Sequence, residues 1–285
     1  MERFQLTIII VNFNTKNLLK KNLTSIYKYT KNLDFEIIVV DNASKDGSKE
    51  MVKKEFPQVK LIENKENLGF SKANNQAIKI SKGKYILLLN SDTEIKDNIF
   101  KKMLDFMEKN QNAALISPKI LFKNGQLDQV VRGEIDLLSA FLSIFGIKRE
   151  RYFLKNWNPI EPVEVKRIAF TAALFRKKVF KEVGLLDSDF VIYFEDADYC
   201  KRLTKKGFKI YYLPQISLFH FGGASSTFNY EKTLNHYICS LKLFYQKHEA
   251  KKYPLFLNLL IYFGIEILRL KMLLGKFFNP QKRLS

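Results

Sequence analysis

Through its first 117 residues the chain alternates short apolar runs with amphipathic helical stretches, and this alternation constrains the fold most. Leu6–Val11, Glu36–Val40, Val59–Ile62, Tyr85–Leu89 and Ala114–Ser117 read as strands, with helices expected over Lys16–Tyr29, Gly47–Lys54, Phe70–Ile80 and Asp97–Glu108. The first, second and fourth runs are continuous and β-branched or Leu-rich, as strands covered on both faces of a parallel sheet must be. A βαβαβαβαβ order predicts an α/β, doubly wound, mostly parallel central sheet with helices on both faces. Three of the strands end in polar residues: Asn12-Phe13-Asn14, Asp41-Asn42-Ala43-Ser44 and Asn90-Ser91-Asp92. Ligands of such sheets bind outside the carboxyl ends of the strands, so these three ends are expected at one site.

Beyond the fifth strand the pattern loosens and then sharpens. Phe122–Val131 reads as a hairpin around Asn124-Gly125, Ile135–Ile147 as a helix, and Lys148-Arg149-Glu150-Arg151 as an exposed loop. Ile168–Phe175 and Lys209–Leu213 read as strands, and Lys177–Val183 and Tyr193–Lys206 as helices. Tyr230–Lys247 is helical, Pro254 breaks it, and 255–278 is rich in Leu, Ile and Phe. The expected organisation is one unit over 1–228 and a helical, basic-amphipathic extension over 229–285. Of the 285 residues 46% are hydrophobic, enough for a real core and too many for a disordered or disulfide-stapled chain. Cys200 and Cys239 are too few for a disulfide framework, and Leu6–Val11 is too short for a signal peptide or a span; a cytosolic setting is expected. The formal charge of +19 asks for an acidic partner: nucleic acid, an anionic membrane or phosphorylated small molecules.

Five constellations carry chemistry. Asp41 closes a buried strand and can accept hydrogen bonds from a base or ribose, while Ser44 or Asp46 reads as the N-cap of the helix that follows. In Asn67-Leu68-Gly69-Phe70-Ser71-Lys72-Ala73-Asn74, a glycine loop opens a helix. Its N–H groups and Lys72 suit a diphosphate, and a plain turn explains the glycine equally well. Asp92 either holds a hard divalent cation or caps toward Ile95. Glu195, Asp196 and Asp198 crowd three acids into four positions at a helix start. Such crowding is poor for stability and suits a general base, because adjacent carboxylates raise one another's pKa. His220 sits among aromatics and precedes Gly222-Gly223; it reads as a core residue or a metal ligand.

In order, TIIIVNFNT, VVDNASKDGS, ENLGFSKANNQAI, GKYILLLNSDTEI, FRKKVFKEVGLLD, FVIYFEDADYCKRL and FHFGGAS resemble the inverting family 2 glycosyltransferases with a GT-A fold, the rhamnosyltransferase-like branch in particular. The likeness covers about residues 5–226. It implies a nucleotide-sugar donor, dTDP-L-rhamnose or a UDP-hexose, and a lipid-linked or cell-surface glycan acceptor. By the same likeness Asp41 contacts the base of the donor with Asn12 and Asn14 nearby, Lys72 and Asn74 lie near its phosphates, and Ser91 also belongs to the donor-binding set. The family's acidic metal motif reads Asn90-Ser91-Asp92 here, leaving Asp92 as its one carboxylate, and His220 looks like the second ligand to Mg²⁺ or Mn²⁺. Asp196 matches the catalytic base, paired with Glu195, and Asp198 is structural or orients the base. Where family members often carry a glycine, this chain reads Ala169-Phe170-Thr171-Ala172-Ala173-Leu174, so its sugar pocket is its own.

The tail accounts for a concentrated share of the charge. Residues 242–285 hold nine Lys/Arg and two Glu, a net of +7. On a helical wheel of 255–276, Asn258, Glu266, Arg269 and Lys276 share an arc of about 80°, Lys271 lies off it, and the rest is apolar. This pattern predicts a helix lying in an anionic membrane interface, with its basic residues near the headgroups; packing on the catalytic unit or on a second subunit is the other reading. The expected setting is therefore the inner face of the cell membrane, with a homodimer through the C-terminal helices as the alternative use of the tail. Nucleic acid is not expected as a partner, because helix-turn-helix, RNP and zinc patterns are missing and the basic residues are dispersed. Another nucleotide enzyme, such as a nucleotidyltransferase or a dehydrogenase, is a further reading. For the dehydrogenase, no GxGxxG follows the first strand.

Overall fold

The computed structural model describes residues 3–133, 157, 159–222 and 230–278. The helix expected over Ile135–Ile147 and the loop Lys148–Arg151 lie outside the described residues. The first half follows the expected order: β1 (Phe4–Asn12), α1 (Lys16–Tyr29), β2 (Phe35–Asp41), α2 (Ser48–Glu55), β3 (Lys60–Glu63), α3 (Gly69–Ile80), β4 (Gly83–Leu89), β5 (Thr93–Glu94), α4 (Ile99–Lys109) and β6 (Ala113–Phe122). There follow β7 (Leu127–Asp128), β8 (Val163–Val165), β9 (Ala172–Arg176), α5 (Val179–Glu182), α6 (Glu195–Lys205), β10 (Lys209–His220), α7 (Tyr230–His248) and α8 (Leu255–Phe278).

Ten strands form one sheet in the order β3-β2-β1-β4-β9-β6-β10-β5, with β7 on β6 and β8 on β10. Strands β1 to β4 pair in parallel, Leu6, Ile8, Ile9 and Ile10 of β1 being wholly buried between neighbours and covering helices. The chain steps one way from β1 to β3 and back to β4. Right-handed crossovers therefore put α1 and α2 on one face and α3 on the other. Ala114–Ser117, expected to continue the parallel series, does not pair with β4. The antiparallel strand β9 lies between them, so the sheet is mixed beyond β4.

Several boundaries move for identifiable reasons. Of the expected strand Ile168–Phe175, only residues from Ala172 join the ladder. Ile168 makes an isolated bridge to Val131, and Thr171 O accepts from Asn90 N at the end of β4. Helix α6 starts at Glu195 because Tyr193 and Phe194 take left-handed φ of 70° and 64°. Strand β10 runs through Pro214, absorbing it as a register shift between Leu213 and Ser217, and so carries His220 to its last position. The hairpin expected around Asn124-Gly125 is present as β6 and β7, whereas the short strands β5 and β8 carry too little periodicity to read from sequence.

A second apolar cluster lies beside the main core. Phe190, Phe194 and Ala197 pack there with Leu234, Ile238, Leu241 and Phe244 of α7 and with Ile265 of α8. Two residues of the polar arc of α8, Asn258 and Glu266, are engaged by the protein. Asn258 donates to Ala250 O and Tyr253 O and accepts from the Tyr245 hydroxyl, while Glu266 pairs with Lys242 of α7. The outward face is the apolar one: Leu255, Phe256, Leu259, Leu260, Phe263, Ile267, Leu270 and Leu274 are each 39–75% exposed. Among the described residues no helix is long and apolar enough to cross a membrane.

Candidate active site

The polar strand ends do converge. Asn12 and Asp41 are register partners on β1 and β2, and Asn12 Nδ2 donates to Asp41 Oδ2 at 2.9 Å and to Ser44 Oγ at 3.0 Å. Ser44 Oγ also accepts from Asn14 N, and Ser44 N donates to Asp41 Oδ1 at 2.8 Å. Asn14, left-handed at φ 53°, accepts from Lys45 N. Thr15 Oγ1 bridges the first and third strand ends, donating to Asn12 Oδ1 at 2.6 Å and lying 2.9 Å from Ser91 Oγ. Asp41 is buried, yet these bonds use only part of its acceptor capacity.

Ser44, one of two expected caps, is thus drawn into this cluster, and neither it nor Asp46 is the N-cap of α2: Gly47, at φ 80°, takes that position, one residue after Asp46. Asp46 instead ties down neighbouring N–H groups. It accepts from Ser48 N, from Ser48 Oγ and from Lys16 N at 2.7 Å, serving the first turns of two helices. Burial raises the Asp46 pKa most strongly of any single influence, but those hydrogen bonds together hold it below the ordinary range.

The amino end of α3 is docked rather than open. Phe70 N donates to Val191 O at 2.8 Å, and Gly69 N donates to Asn67 Oδ1. Gly69 has φ +79°, and a Cβ there would stand 2.5 Å from Val191 O, so only glycine allows this contact. Phe70 N is therefore spent on the loop before α6, and Gly69 N on the Asn67 side chain, rather than on a diphosphate. Lys72 is exposed on the first turn of α3. Asn74 is buried and donates back to Phe70 O. Asn75, given no role from sequence, exchanges two hydrogen bonds with Leu186 (2.7 and 3.1 Å) and ties α3 to the same loop.

Asp92 does not cap toward Ile95, whose N–H donates to Ser25 Oγ instead. Its Oδ1 lies 3.2 Å from His220 Nε2, while His220 Nδ1 lies 2.7 Å from Asp128 Oδ2. Burial alone would lower the His220 pKa; hydrogen bonds from Asp128 and Asp92 outweigh it and raise the pKa to about 9. A carboxylate oxygen and an imidazole nitrogen at this separation fit one divalent cation, since metal–ligand bonds of about 2.1 Å at right angles put donor atoms about 3 Å apart. No group of three or more potential ligands occurs among the described residues.

At the start of α6, Asp196 is buried against Arg167, whose Nη2 lies 3.2 and 3.4 Å from its two oxygens, and Oδ1 accepts from Ala197 N at 2.7 Å. Glu195 Oε2 is buried without a hydrogen-bond partner among the described residues. Burial first, and the Asp196 charge second, push its pKa up to about 8. Arg167, which sequence reasoning missed, sits 29 residues upstream in an otherwise uninformative stretch. Asp198 belongs to packing: it accepts from Arg202 Nε (2.8 Å), His248 Nε2 (2.8 Å) and Lys247 Nζ (2.7 Å), tying α6 to α7. The Asp92–His220 half and the acid half meet through a short backbone link, Ala169 N to Val130 O and Arg132 N to Arg167 O, which joins the segment after Asp128 to the segment carrying Arg167.

Comparison with known proteins gives this geometry a context. The sequence model of the family described as Glycosyl transferase family 2 matches residues 7–184. A dTDP-rhamnosyl transferase RfbF of Shigella flexneri is 25% identical over 225 residues, 76% of this chain and 69% of that protein. An N-acetylglucosaminyl-diphospho-decaprenol L-rhamnosyltransferase of Mycobacterium tuberculosis is 24% identical over 236 residues, 75% of each chain. Among solved structures, GalNAc-T7 with UDP, GalNAc and Mn²⁺ superposes with a TM-score of 0.60 at 17% identity, covering 88% of this chain and 52% of that one. S. aureus TarS 1-349 gives 0.56 at 16% identity, covering 98% and 76%. The fold is that of these GT-A enzymes.

Proposed function

The chain belongs to glycosyl transferase family 2, and from that premise we propose that it moves a sugar, with inversion, from a nucleoside-diphosphate donor to a hydroxyl of a lipid-linked or cell-surface glycan. Two relatives named for rhamnosyl transfer, one to a decaprenol-diphosphate sugar, favour dTDP-L-rhamnose over a UDP-hexose and favour a lipid-linked acceptor. Family membership leaves the nucleotidyltransferase, dehydrogenase and nucleic-acid readings without support.

The observation that carries the mechanism is the acid pair: Asp196 held by the Arg167 guanidinium, with Glu195 Oε2 buried beside it and without a hydrogen-bond partner among the described residues. Asp196 takes the proton of the acceptor hydroxyl as its oxygen attacks the anomeric carbon from the face opposite the nucleotide. The bond from that carbon to the diphosphate oxygen breaks, and the electron pair leaves with the diphosphate. Asp92 and His220 would hold Mg²⁺ or Mn²⁺, which supplies charge neutralisation at the departing diphosphate. Asp41 accepts from the donor base. Asn12 and Asn14 set the loop that carries it, Ser91 fixes the turn before Asp92, and Lys72 adds positive charge near the phosphates, with Asn74 holding its helix turn. In this reading residues 1–228 are the transferase unit and 229–285 the extension, whose exposed apolar face on α8 and local +7 charge suit peripheral attachment to the anionic inner face of the cell membrane.

A donor panel tests this. Purified protein is given dTDP-L-rhamnose or UDP-hexoses with and without Mn²⁺, and nucleoside-diphosphate release is followed. One preferred donor and divalent-cation dependence are expected. Asp196→Asn should lower transfer by about 10²–10⁴-fold while keeping thermal stabilisation by the nucleotide. Wild-type turnover in Asp196→Asn would overturn the assignment of the base.

A further inference from the structure

We propose that Asp128 is a positioning residue for the cation site, holding His220 so that its Nε2, and not its Nδ1, is offered beside Asp92. This rests on the metal-dependent reading above and adds a residue that neither the motifs nor the family likeness pointed to. Three contacts fix the imidazole. Asp128 Oδ2 stands 2.7 Å from Nδ1, Asp92 Oδ1 stands 3.2 Å from Nε2, and the Phe122 ring stacks on it at 6.3 Å and 21°. A histidine that keeps its Nδ1 proton and donates it in a hydrogen bond to a carboxylate has Nε2, the nitrogen that faces Asp92 here, as its ligating nitrogen once a cation takes the place of the Nε2 proton. With its Oδ2 engaged at Nδ1, Asp128 acts as the orienter of a ligand.

Sheet register delivers this arrangement. His220 of β10 lies opposite Phe122 of β6, and Asp128 of β7 lies opposite Ile120 of the same strand. Directly opposed residues share a face, and positions 120 and 122 of one strand share a face, so Asp128 and His220 project from the same side of the sheet. The Asn124-Gly125 turn sets the β6–β7 register; a slip of one residue would carry Asp128 to the other side. Val130 N, donating to Asp128 O, holds the backbone at that point. The two-residue strand β7 is thereby given a purpose that its length alone does not explain.

The test is Mn²⁺ affinity of the full chain with UDP or dTDP present, read from the EPR signal of unbound Mn²⁺, together with ¹⁵N shifts of the His220 ring in Mg²⁺. Asp128→Ala should weaken Mn²⁺ binding by about 10–100-fold. Asp128→Asn, which still accepts a hydrogen bond, should lose less. The Nδ1–H form should dominate in the wild type and give way to mixed tautomers in Asp128→Ala. Wild-type Mn²⁺ affinity in Asp128→Ala, alongside loss of binding in His220→Ala, would overturn the inference and leave the metal reading standing. Absence of Mn²⁺ binding by the wild type would overturn both. If Asp128→Ala does not fold, the asparagine variant decides: affinity and ring shifts identical to wild type count against the inference.

Discussion

Glu195 and Asp196 are neighbours in sequence and opposites in environment. Asp196 meets a guanidinium and a helix N–H; Glu195 buries an oxygen that has no hydrogen-bond partner among the described residues. Because burial and Asp196 raise the Glu195 pKa from 4.5 to about 8, the folded chain keeps a proton across that window that the unfolded chain has lost. Stability therefore falls as pH rises from 4.5 to about 8 and then levels off. Glu195→Gln should raise Tm by about 5 °C at pH 9 and leave it unchanged below pH 4, as differential scanning calorimetry would show. Equal Tm differences at both pH values would contradict the assignment. The acids were legible in sequence because three carboxylates at one helix start are unusual. Arg167 was not, because a lone arginine carries no local pattern that names its partner.

At the scale of elements, the turn before α6 is the costly one. Tyr193 and Phe194 both sit at positive φ, each such non-glycine residue costing about 1–3 kcal/mol, and such conformations persist only when neighbours over-determine them. Helix α7 supplies the neighbours: the Tyr237 ring lies 5.7 Å from Tyr193 and 5.3 Å from Phe194, Phe244 lies 5.8 Å from Phe194, and Ser240 Oγ donates to Ile192 O. Asp198 fastens the two helices. Burial raises its pKa, but His248, Arg202 and Lys247 bring it down to about 2. Its contribution, about 2 kcal/mol, is complete above about pH 4 and is lost as pH falls through 2. Asp198→Asn should remove that amount at pH 7 and flatten the acid limb of urea-unfolding stability against pH; an unchanged acid limb would contradict it. The sequence marked α6 and α7 as helices, but their contact depends on residues about fifty positions apart and was not readable.

For the whole molecule, the instructive element is α8. Its wheel correctly separated a polar arc from an apolar one, and only packing decided which arc faces out. Lys242 and Tyr245 of α7 engage Glu266 and Asn258 of the polar arc, and eight large apolar residues are left outside. An exposed stripe of this size on a chain of net +19 suits an anionic bilayer, with Lys251, Lys252 and Lys271 exposed around it. Phe256→Ser with Phe263→Ser should reduce co-sedimentation with phosphatidylglycerol vesicles by about tenfold or more, because each buried large side chain contributes about 1.5–3 kcal/mol. A homodimer by light scattering that the double variant dissolves, with vesicle binding unchanged, would assign the face to a second copy instead.

By itself the sequence determined the parallel half of the sheet, the three polar strand ends and the acid-opened helix, because hydrophobic period and strand-end chemistry are local properties. Tertiary structure alone decided that β9 separates β4 from β6, that Arg167 rather than a neighbour holds Asp196, that Asp128 meets His220 across β6, and that α8 shows its apolar side. Each of these depends on two segments far apart in the chain coming into register. A one-dimensional pattern names the faces of an element but not the element each face will meet.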